Sequence, residues 1–85
     1  MASEIRFIII PPEKRAKLGS KHGVSEDEVN DACTTGLQDS RWAIHPTYGR
    51  RLLVKGRTEH GRLLYIYLYP TPLPWQWRLG TAFAP

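Results

Sequence analysis

The sequence predicts an α+β fold, in which two N-terminal helices pack on an antiparallel sheet of about four to five strands. Three observations predict it. A hairpin pattern occupies residues 50–69, a helix-start signature lies at residues 24–28, and the apolar runs follow the order β-α-α-β-β-β-β. Consecutive strands usually pair with one another, and helices grouped at one end of a chain can cover one side of the sheet. We therefore expect a single domain over residues 1–85.

The predicted hairpin organises the chain. Two apolar runs, 52–54 and 63–69, flank a polar turn that ends in Gly61, which is the usual pattern of two paired strands. The loop could have two residues (His60-Gly61) or four (Thr58 to Gly61). Both lengths place each side chain on the same face of the sheet, because they differ by two residues.

On either loop, odd positions of the first strand share a face with even positions of the second. One face would then carry Arg51, Leu53, Lys55, Arg57, Arg62, Leu64, Ile66 and Leu68, and the other Leu52, Val54, Gly56, Leu63, Tyr65, Tyr67 and Tyr69. Neither face is purely apolar, so we expect both to be partly covered.

The N-terminal segment predicts a strand followed by a short basic helix. Ile5 to Ile10 is almost continuously apolar, which is typical of a strand covered on both faces. Pro12 suits the first position of a helix, where its missing N–H has no effect. The helix should run over residues 13–22 and end at Gly23, with little to bury at Ala16 and Leu18.

The second helix has a clear start. Ser25 precedes Glu28 by three residues, which is a capping box, and Val24 and Val29 occupy the positions of a hydrophobic staple. An apolar stripe at helical spacing follows, ending near Gly36: Val29, Ala32, Cys33 and Leu37. We interpret Cys33 as a buried apolar residue.

The remaining segments complete the predicted sheet. Ser40 to Ile44 reads as a strand, and a turn through residues 46–49 leads into the hairpin. Pro70 to Pro74 contains three prolines and predicts a rigid connection. Trp75 to Phe83 predicts a last strand, in which Gln76, Arg78, Gly80 and Ala82 alternate with Trp75, Trp77, Leu79, Thr81 and Phe83.

Charge is distributed unevenly along the chain. Residues 1–39 hold five lysines and arginines against seven acids, a net charge of −2, whereas residues 40–85 hold seven against one, a net charge of +6. A basic half on a predicted sheet favours a polyanion or an acidic protein as partner, and a solvated basic surface is the alternative.

Several classes of protein are disfavoured by composition. One cysteine rules out an internal disulfide framework and suits a reducing cytoplasm. No Cys/His cluster has metal-ligand spacing, so we expect no metal and no cofactor. The apolar runs are too short for a membrane span, and the first residues lack the order of a signal peptide. We expect a cytoplasmic protein with no membrane partner.

No strong catalytic signature is present, but the residues fit metal-free cleavage of RNA. That reaction needs a base for the 2′-hydroxyl, cations for the phosphate and an acid for the leaving oxygen. Candidate cations are Arg57, Arg62, Arg78 and Lys55, and candidate proton-transfer groups are His22, His60 and Glu59. Each of these three groups also has a structural alternative. His60 and Glu59 could simply be turn residues, and His22 could simply precede the glycine that ends the helix. Five aromatic residues suit base stacking or the core: Tyr65, Tyr67, Tyr69, Trp75 and Trp77.

Three segments together resemble the BrnT-type toxins of bacterial type II toxin–antitoxin systems. They are Lys21-His22-Gly23-Val24-Ser25-x-x-Glu28, Gly56-Arg57-Thr58-Glu59-x-Gly61-Arg62-Leu63-Leu64 and Trp77-Arg78-Leu79-Gly80-Thr81-Ala82. The resemblance implies a RelE/ParE-like fold, an endoribonuclease that arrests translation, and neutralisation by an antitoxin encoded beside it. The matching residues are Lys21, His22, Arg57, Thr58, Glu59 and Arg78.

We therefore expect a metal-independent ribonuclease toxin with RNA and an antitoxin protein as partners. The sequence leaves open whether it forms a homo- or hetero-oligomer. The expected catalytic residues are Arg57, Arg78, His22 and Glu59, and the expected RNA-binding residues are Arg50, Arg51, Lys55, Arg62 and Lys21. Such toxins continue with a Ser/Thr-Ala-Arg step and a short basic helix, whereas here Phe83 follows Thr81-Ala82 and the sequence ends at Pro85. This departure favours the alternative, a catalytically degenerate homologue that binds RNA or protein.

Overall fold

The computed structural model, which describes residues 4–34 and 38–85, confirms the α+β fold. Its elements are β1 (Phe7–Ile9), α1 (Pro12–Lys17) with a π-helical continuation (Leu18–His22), α2 (Glu26–Thr34), β2 (Asp39–His45), β3 (Gly49–Arg57), β4 (Leu63–Pro70) and β5 (Gln76–Phe83). The predicted order is therefore correct. The expected end of the second helix at Gly36, and Leu37 of its stripe, lie outside the described residues.

The five strands form one sheet in the order β1-β5-β4-β3-β2. Strands β2 to β5 are antiparallel neighbours, as predicted, whereas β1 pairs with β5 in parallel. The parallel pair arises because the helices carry the chain from β1 to the far side of the sheet before β2 begins. Strands β1 and β2 consequently form the two edges.

The predicted facing of the hairpin is wrong. The structure pairs Leu52 with Leu68 and Arg57 with Leu63, so even positions face even positions. The loop has three residues, because Thr58 pairs with Arg62 and Gly61 closes the turn with an N–H donated to the Thr58 carbonyl. Gly61 adopts a positive φ of 85°, the left-handed conformation that such three-residue loops require. An odd loop length shifts the second strand by one residue and turns its side chains over.

With this register, the side of the hairpin that meets the helices is apolar. Its side chains are fully or almost fully buried: Leu52, Val54, Leu64, Ile66 and Leu68. Gly56 lies on the same side of β3. A side chain at this position would overlap the backbone carbonyl of Ala32 in α2. Helix α2 therefore lies directly against β3.

The helices complete the core from one side. Val29, Ala32 and Cys33 of α2 are buried, which confirms the predicted stripe over the described residues. Leu18 is 3% exposed and belongs to the same core. The expectation that Leu18 has little to bury is wrong, because the helical continuation of α1 places it over β5.

Two smaller expectations also fail. Strand β1 is not covered on both faces. Ile8, beside Trp77, is buried, but Phe7 and Ile9, beside Gln76 and Arg78, are exposed because they point to the side of the sheet away from the helices. Strand β5 does not alternate strictly, since a β-bulge shifts the pairing from Leu68↔Leu79 to Tyr67↔Thr81. The extra residue places Ala82, rather than Thr81, in the core.

The start of α2 is as predicted. The backbone N–H of Ser25 donates to Glu28 Oε1, and the N–H of Glu28 donates to Ser25 Oγ, each at 3.1 Å. These reciprocal bonds satisfy two groups that the first turn leaves free. The pKa of Glu28 is lowered mainly by the hydrogen bond from the Ser25 N–H and next by the hydrogen bond from Arg62. In residues 4–34 and 38–85, no helix combines the length and apolar character needed to cross a bilayer.

Candidate functional site

The side of the sheet away from the helices, here called the open face, combines cations with aromatic rings. It is defined by Arg51, Lys55 and Arg57 of β3, Tyr65, Tyr67 and Tyr69 of β4, and Arg78 of β5. These residues come together because the true register places the odd positions of β3 beside the odd positions of β4. The tyrosines that the incorrect register assigned to the opposite face thus lie among the basic residues.

Three cations of the open face lie over tyrosine rings. Arg51 Cζ is 3.8 Å from the centroid of Tyr67, Lys55 Nζ is 5.3 Å from that of Tyr65, and Arg78 Cζ is 6.0 Å from that of Tyr69. Each such contact contributes on the order of 0.5–1 kcal/mol at an exposed site. The contacts hold long, flexible side chains against the sheet and keep their charges on the same side.

These charges are not neutralised within the described part of the chain. Its ion pairs join Arg6 to Glu4, Arg15 to Glu26 and Arg62 to Glu28, and none involves Arg51, Lys55 or Arg78. Arg51 Nε is in addition buried without a hydrogen-bond partner among these residues. Because this atom is shielded from solvent, an external anion could meet the Arg51 guanidinium only through its other nitrogens.

Part of the basic charge of the open face borders a cavity of about 450 Å³, here called the arginine cleft. Arg51 and Arg78 line it from the sheet, and Glu13 and Lys14 line it from the start of α1. The sequence did not indicate that Lys14 joins the arginines. Helix α1 reaches them because it follows β1, which is the neighbour of β5.

Aromatic side chains form the other wall of the arginine cleft. Tyr48 meets Tyr69 edge to face at 6.3 Å between ring centroids, and His45 lies 4.8 Å from Tyr48. His45 Nδ1 accepts the backbone N–H groups of Thr47 and Tyr48 at 3.0 and 3.1 Å. A neutral His45 therefore carries its proton on Nε2, which leaves that nitrogen as a donor. Sequence reasoning missed His45 and Tyr48, which it treated as strand-end and turn residues.

A second cavity of about 620 Å³, here called the hairpin cleft, lies at the other end of the same strands. Lys55, Arg57 and Glu59 line it together with Asp39. Arg57 Nη1 donates to the Gly61 carbonyl at 2.9 Å, which fixes its guanidinium at the hairpin loop. The N–H of Glu59 donates to the carboxylate of Asp31, so the tip is also attached to α2.

A third, smaller cavity lies along the edge of β5 and is here called the lysine groove. Lys14, Lys17, Lys21 and His22 line it from α1 and its continuation. His22 packs beside Phe83, with ring centroids 6.3 Å apart. The groove adjoins the arginine cleft, since Lys14, Leu79, Gly80 and Thr81 line both.

The four expected catalytic residues are thus divided among three places. Arg57 and Glu59 share the hairpin cleft, Arg78 lies in the arginine cleft, and His22 lies in the lysine groove. Arg51 lines the same cleft as Arg78. Arg51 and Arg57 are six positions apart in β3, which corresponds to about 20 Å along the strand. Arg57 and Arg78 therefore do not converge on one phosphate.

Of the five expected RNA-binding residues, Arg51 and Lys55 lie on the open face and Lys21 lies in the lysine groove. Arg50 points to the helix side, where its Cζ lies 3.8 Å from the centroid of Trp42. Arg62 is bound to Glu28 and to the Gly23 carbonyl. Both side chains are thus placed away from the open face.

In the described part of the chain, no three His, Cys, Asp or Glu side chains are grouped so that they could hold a metal ion. Comparisons with protein-family models, curated proteins and solved structures found no match to this chain.

Proposed function

We propose that this chain is a toxin of the BrnT type, a cytoplasmic ribonuclease that binds single-stranded RNA on the open face and cleaves it without a metal ion. The observation that carries the proposal is the set of cations held over tyrosine rings on the open face of the sheet: Arg51, Lys55 and Arg78. Arginine and lysine bind the phosphates of RNA, and aromatic rings offer stacking surfaces to unpaired bases. The resemblance of the sequence to BrnT-type toxins supports the same assignment.

The dimensions of the open face suit an extended strand of several nucleotides. The arginine cleft and the hairpin cleft lie about 20 Å apart along β3, and Lys55 lies between Arg51 and Arg57. One strand of RNA following β3 would meet Arg51, Lys55 and Arg57 in turn, with Leu53 between the first two. A double helix, by contrast, offers no unstacked bases to the tyrosines.

The hairpin cleft brings a candidate base, Glu59, together with two cations, Arg57 and Lys55, and a second carboxylate, Asp39. Glu59 would remove the proton from a 2′-hydroxyl, so that this oxygen attacks the adjacent phosphorus and displaces the 5′-oxygen. Arg57 and Lys55 would stabilise the charge of the pentavalent phosphate, and water would supply the proton to the leaving oxygen. Arg78 and Arg51 would hold neighbouring nucleotides, and His22 and Lys21 would bind RNA that continues into the lysine groove.

The test is incubation of the purified chain with single-stranded RNA in EDTA, beside three variants. Cleavage by the wild type should fall at least about a hundredfold in Glu59→Gln and in Arg57→Gln, the range expected for loss of a base or of a charge-stabilising group. Arg15→Gln is the matched control, because it removes an arginine that pairs with Glu26 away from the open face. Full activity of Arg57→Gln would remove Arg57 from the mechanism.

A second candidate is a binding protein that holds RNA or an acidic protein segment without cleaving it. The division of Arg57, Arg78 and His22 among three cavities favours it, because cooperative proton transfer needs groups within hydrogen-bond reach. Salt-sensitive binding with intact RNA at every protein concentration would establish this candidate and exclude the ribonuclease.

An antitoxin encoded beside this chain is part of the proposal. An acidic segment would compete with RNA for the unpaired cations of the open face. Expression of the chain alone should arrest bacterial growth, and co-expression of the neighbouring gene should restore it. Growth arrest that persists in Glu59→Gln would show that the arrest does not depend on cleavage at this site.

A further inference from the structure

We propose that the arginine cleft is a binding site for a nucleotide that carries a phosphomonoester, such as the terminal nucleotide of an RNA strand. The inference rests on the proposed function, because it assigns a specific substrate group to one end of the open face. Two arginines, Arg51 and Arg78, line this cleft together with Lys14, and none of the ion pairs among the described residues involves Arg51 or Arg78.

The charge of the cleft matches a dianion. Arg51, Arg78 and Lys14 contribute three positive charges and Glu13 one negative charge, which leaves a net charge of +2 when His45 is neutral. A phosphomonoester carries nearly two negative charges at neutral pH, whereas a phosphodiester within a strand carries one. Two guanidinium groups in one cleft also offer paired N–H donors to the three terminal oxygens of a phosphate.

The size and shape of the cleft suit the rest of a nucleotide. Its volume of about 450 Å³ falls in the range of small-molecule sites. Tyr48 and Tyr69, which meet edge to face, provide a ring surface for the base or ribose. The Nε2–H of His45 provides a donor on the same wall. Inorganic phosphate would use the arginines but not this wall.

The test is titration calorimetry with the intact chain and five ligands. These are 3′-UMP, 5′-UMP, uridine, inorganic phosphate and the diester uridylyl-(3′→5′)-uridine. Both monophosphates should bind more tightly than inorganic phosphate and the diester, and uridine should show no binding. A preference for 3′-UMP would assign the cleft to a 3′ end, and a preference for 5′-UMP would assign it to a 5′ end.

Three variants complete the test. Arg51→Gln and Arg78→Gln should each weaken binding of the preferred monophosphate by about tenfold or more, the effect of losing a charged hydrogen bond. Arg15→Gln should bind as the wild type does. Circular dichroism and thermal melting would verify that each variant is folded. Unchanged affinity in both Arg51→Gln and Arg78→Gln would overturn the assignment, as would equal affinity for uridine and UMP or for inorganic phosphate and UMP.

This inference and the proposed function can fail separately. RNA cleavage in EDTA with no affinity for either monophosphate would overturn the nucleotide site and leave the ribonuclease intact. Binding of a monophosphate through Arg51 and Arg78, with RNA neither bound nor cleaved, would overturn the ribonuclease and support the cleft as a site for free nucleotides.

Discussion

Arg62 donates from Nη1 to both carboxylate oxygens of Glu28, at 3.1 and 3.0 Å. The same nitrogen donates to the Gly23 carbonyl at 2.9 Å, and Glu28 also closes the capping box of α2. One carboxylate thus joins the hairpin loop to the start of a helix 34 positions earlier in the chain. Arg62 therefore has a structural role in this fold, which its sequence position among other arginines did not reveal.

Glu28→Gln should destabilise the protein at neutral pH and make its stability less sensitive to acid. The cap and the pair with Arg62 lower the pKa of Glu28 below its usual value of about 4.5. The carboxylate therefore stabilises the fold above that value, and its contribution is lost as the pH falls through the lowered pKa. Glutamine can still close the capping box, so the variant mainly removes the charged hydrogen bonds to Arg62, a loss on the order of 1 kcal/mol. Urea unfolding at several pH values measures both effects.

The control for this variant is Arg15→Gln, which breaks the exposed pair with Glu26. Exposed pairs contribute about 0–1 kcal/mol, so its free energy of unfolding should stay close to that of the wild type. If Glu28→Gln lost stability by the same amount at pH 3 as at pH 7, the link between the carboxylate and the acid sensitivity would be disproved.

Gly56→Ala should destabilise the fold without changing any charge. A Cβ at this position would overlap the carbonyl oxygen of Ala32 and lie 2.9 Å from its carbonyl carbon. Both atoms belong to the backbone of α2, so the helix has to move away from β3. Overpacking of this kind costs about 1–3 kcal/mol. Chemical unfolding followed by tryptophan fluorescence gives the change directly.

Gly19→Ala is the matched control for Gly56→Ala. An added Cβ there meets no atom within 4 Å, and Gly19 lies in the helical continuation of α1. Alanine favours helix over glycine by up to about 1 kcal/mol, so this variant should be as stable as the wild type or slightly more stable. Equal destabilisation of both variants would show that the approach of α2 to β3 does not explain the effect at Gly56.

Cys33 should be unreactive toward thiol reagents in the folded protein. Its side chain is 1% exposed, and burial raises the pKa of the thiol to about 12. The thiolate is the reactive form, so modification should require unfolding. Labelling with an aromatic disulfide should be slow in buffer and rapid in denaturant. Fast labelling in buffer would mean that α2 separates readily from the sheet.

The sequence was sufficient to predict the elements but not the facing of the hairpin. Local patterns such as the capping box of Ser25 and Glu28 act over a few residues, and the structure confirms them. Facing depends on loop length, and a two-, three- or four-residue loop is compatible with the polar segment before Gly61. Burial of apolar side chains distinguishes these loop lengths. Only the three-residue loop places Leu52, Val54 and the even residues of β4 on the same, buried side of the sheet.

The composition of the site was predictable only in part. The excess of basic residues in the second half of the chain indicated an anion-binding surface, and Arg51, Lys55 and Arg78 lie on the open face. Lys14 was not predictable as a neighbour of the arginines, because its position depends on the parallel pairing of β1 with β5. The separation of Arg57 from Arg78 likewise follows from strand register, which no local pattern specifies.

Lys55→Gln should reduce the salt dependence of RNA binding. Lys55 lies over Tyr65 on the open face, where it lines the hairpin cleft, and it has no ion-pair partner within the described residues. If it contacts one phosphate, its loss should reduce the slope of log affinity against log salt by about 0.7, the value for single strands. Fluorescence anisotropy with labelled RNA over a range of salt concentrations measures the slope. Arg15→Gln should keep the wild-type slope, because its side chain lies near Glu26 rather than on the open face. An equal reduction in both variants would indicate that RNA responds to net charge alone and does not lie along β3.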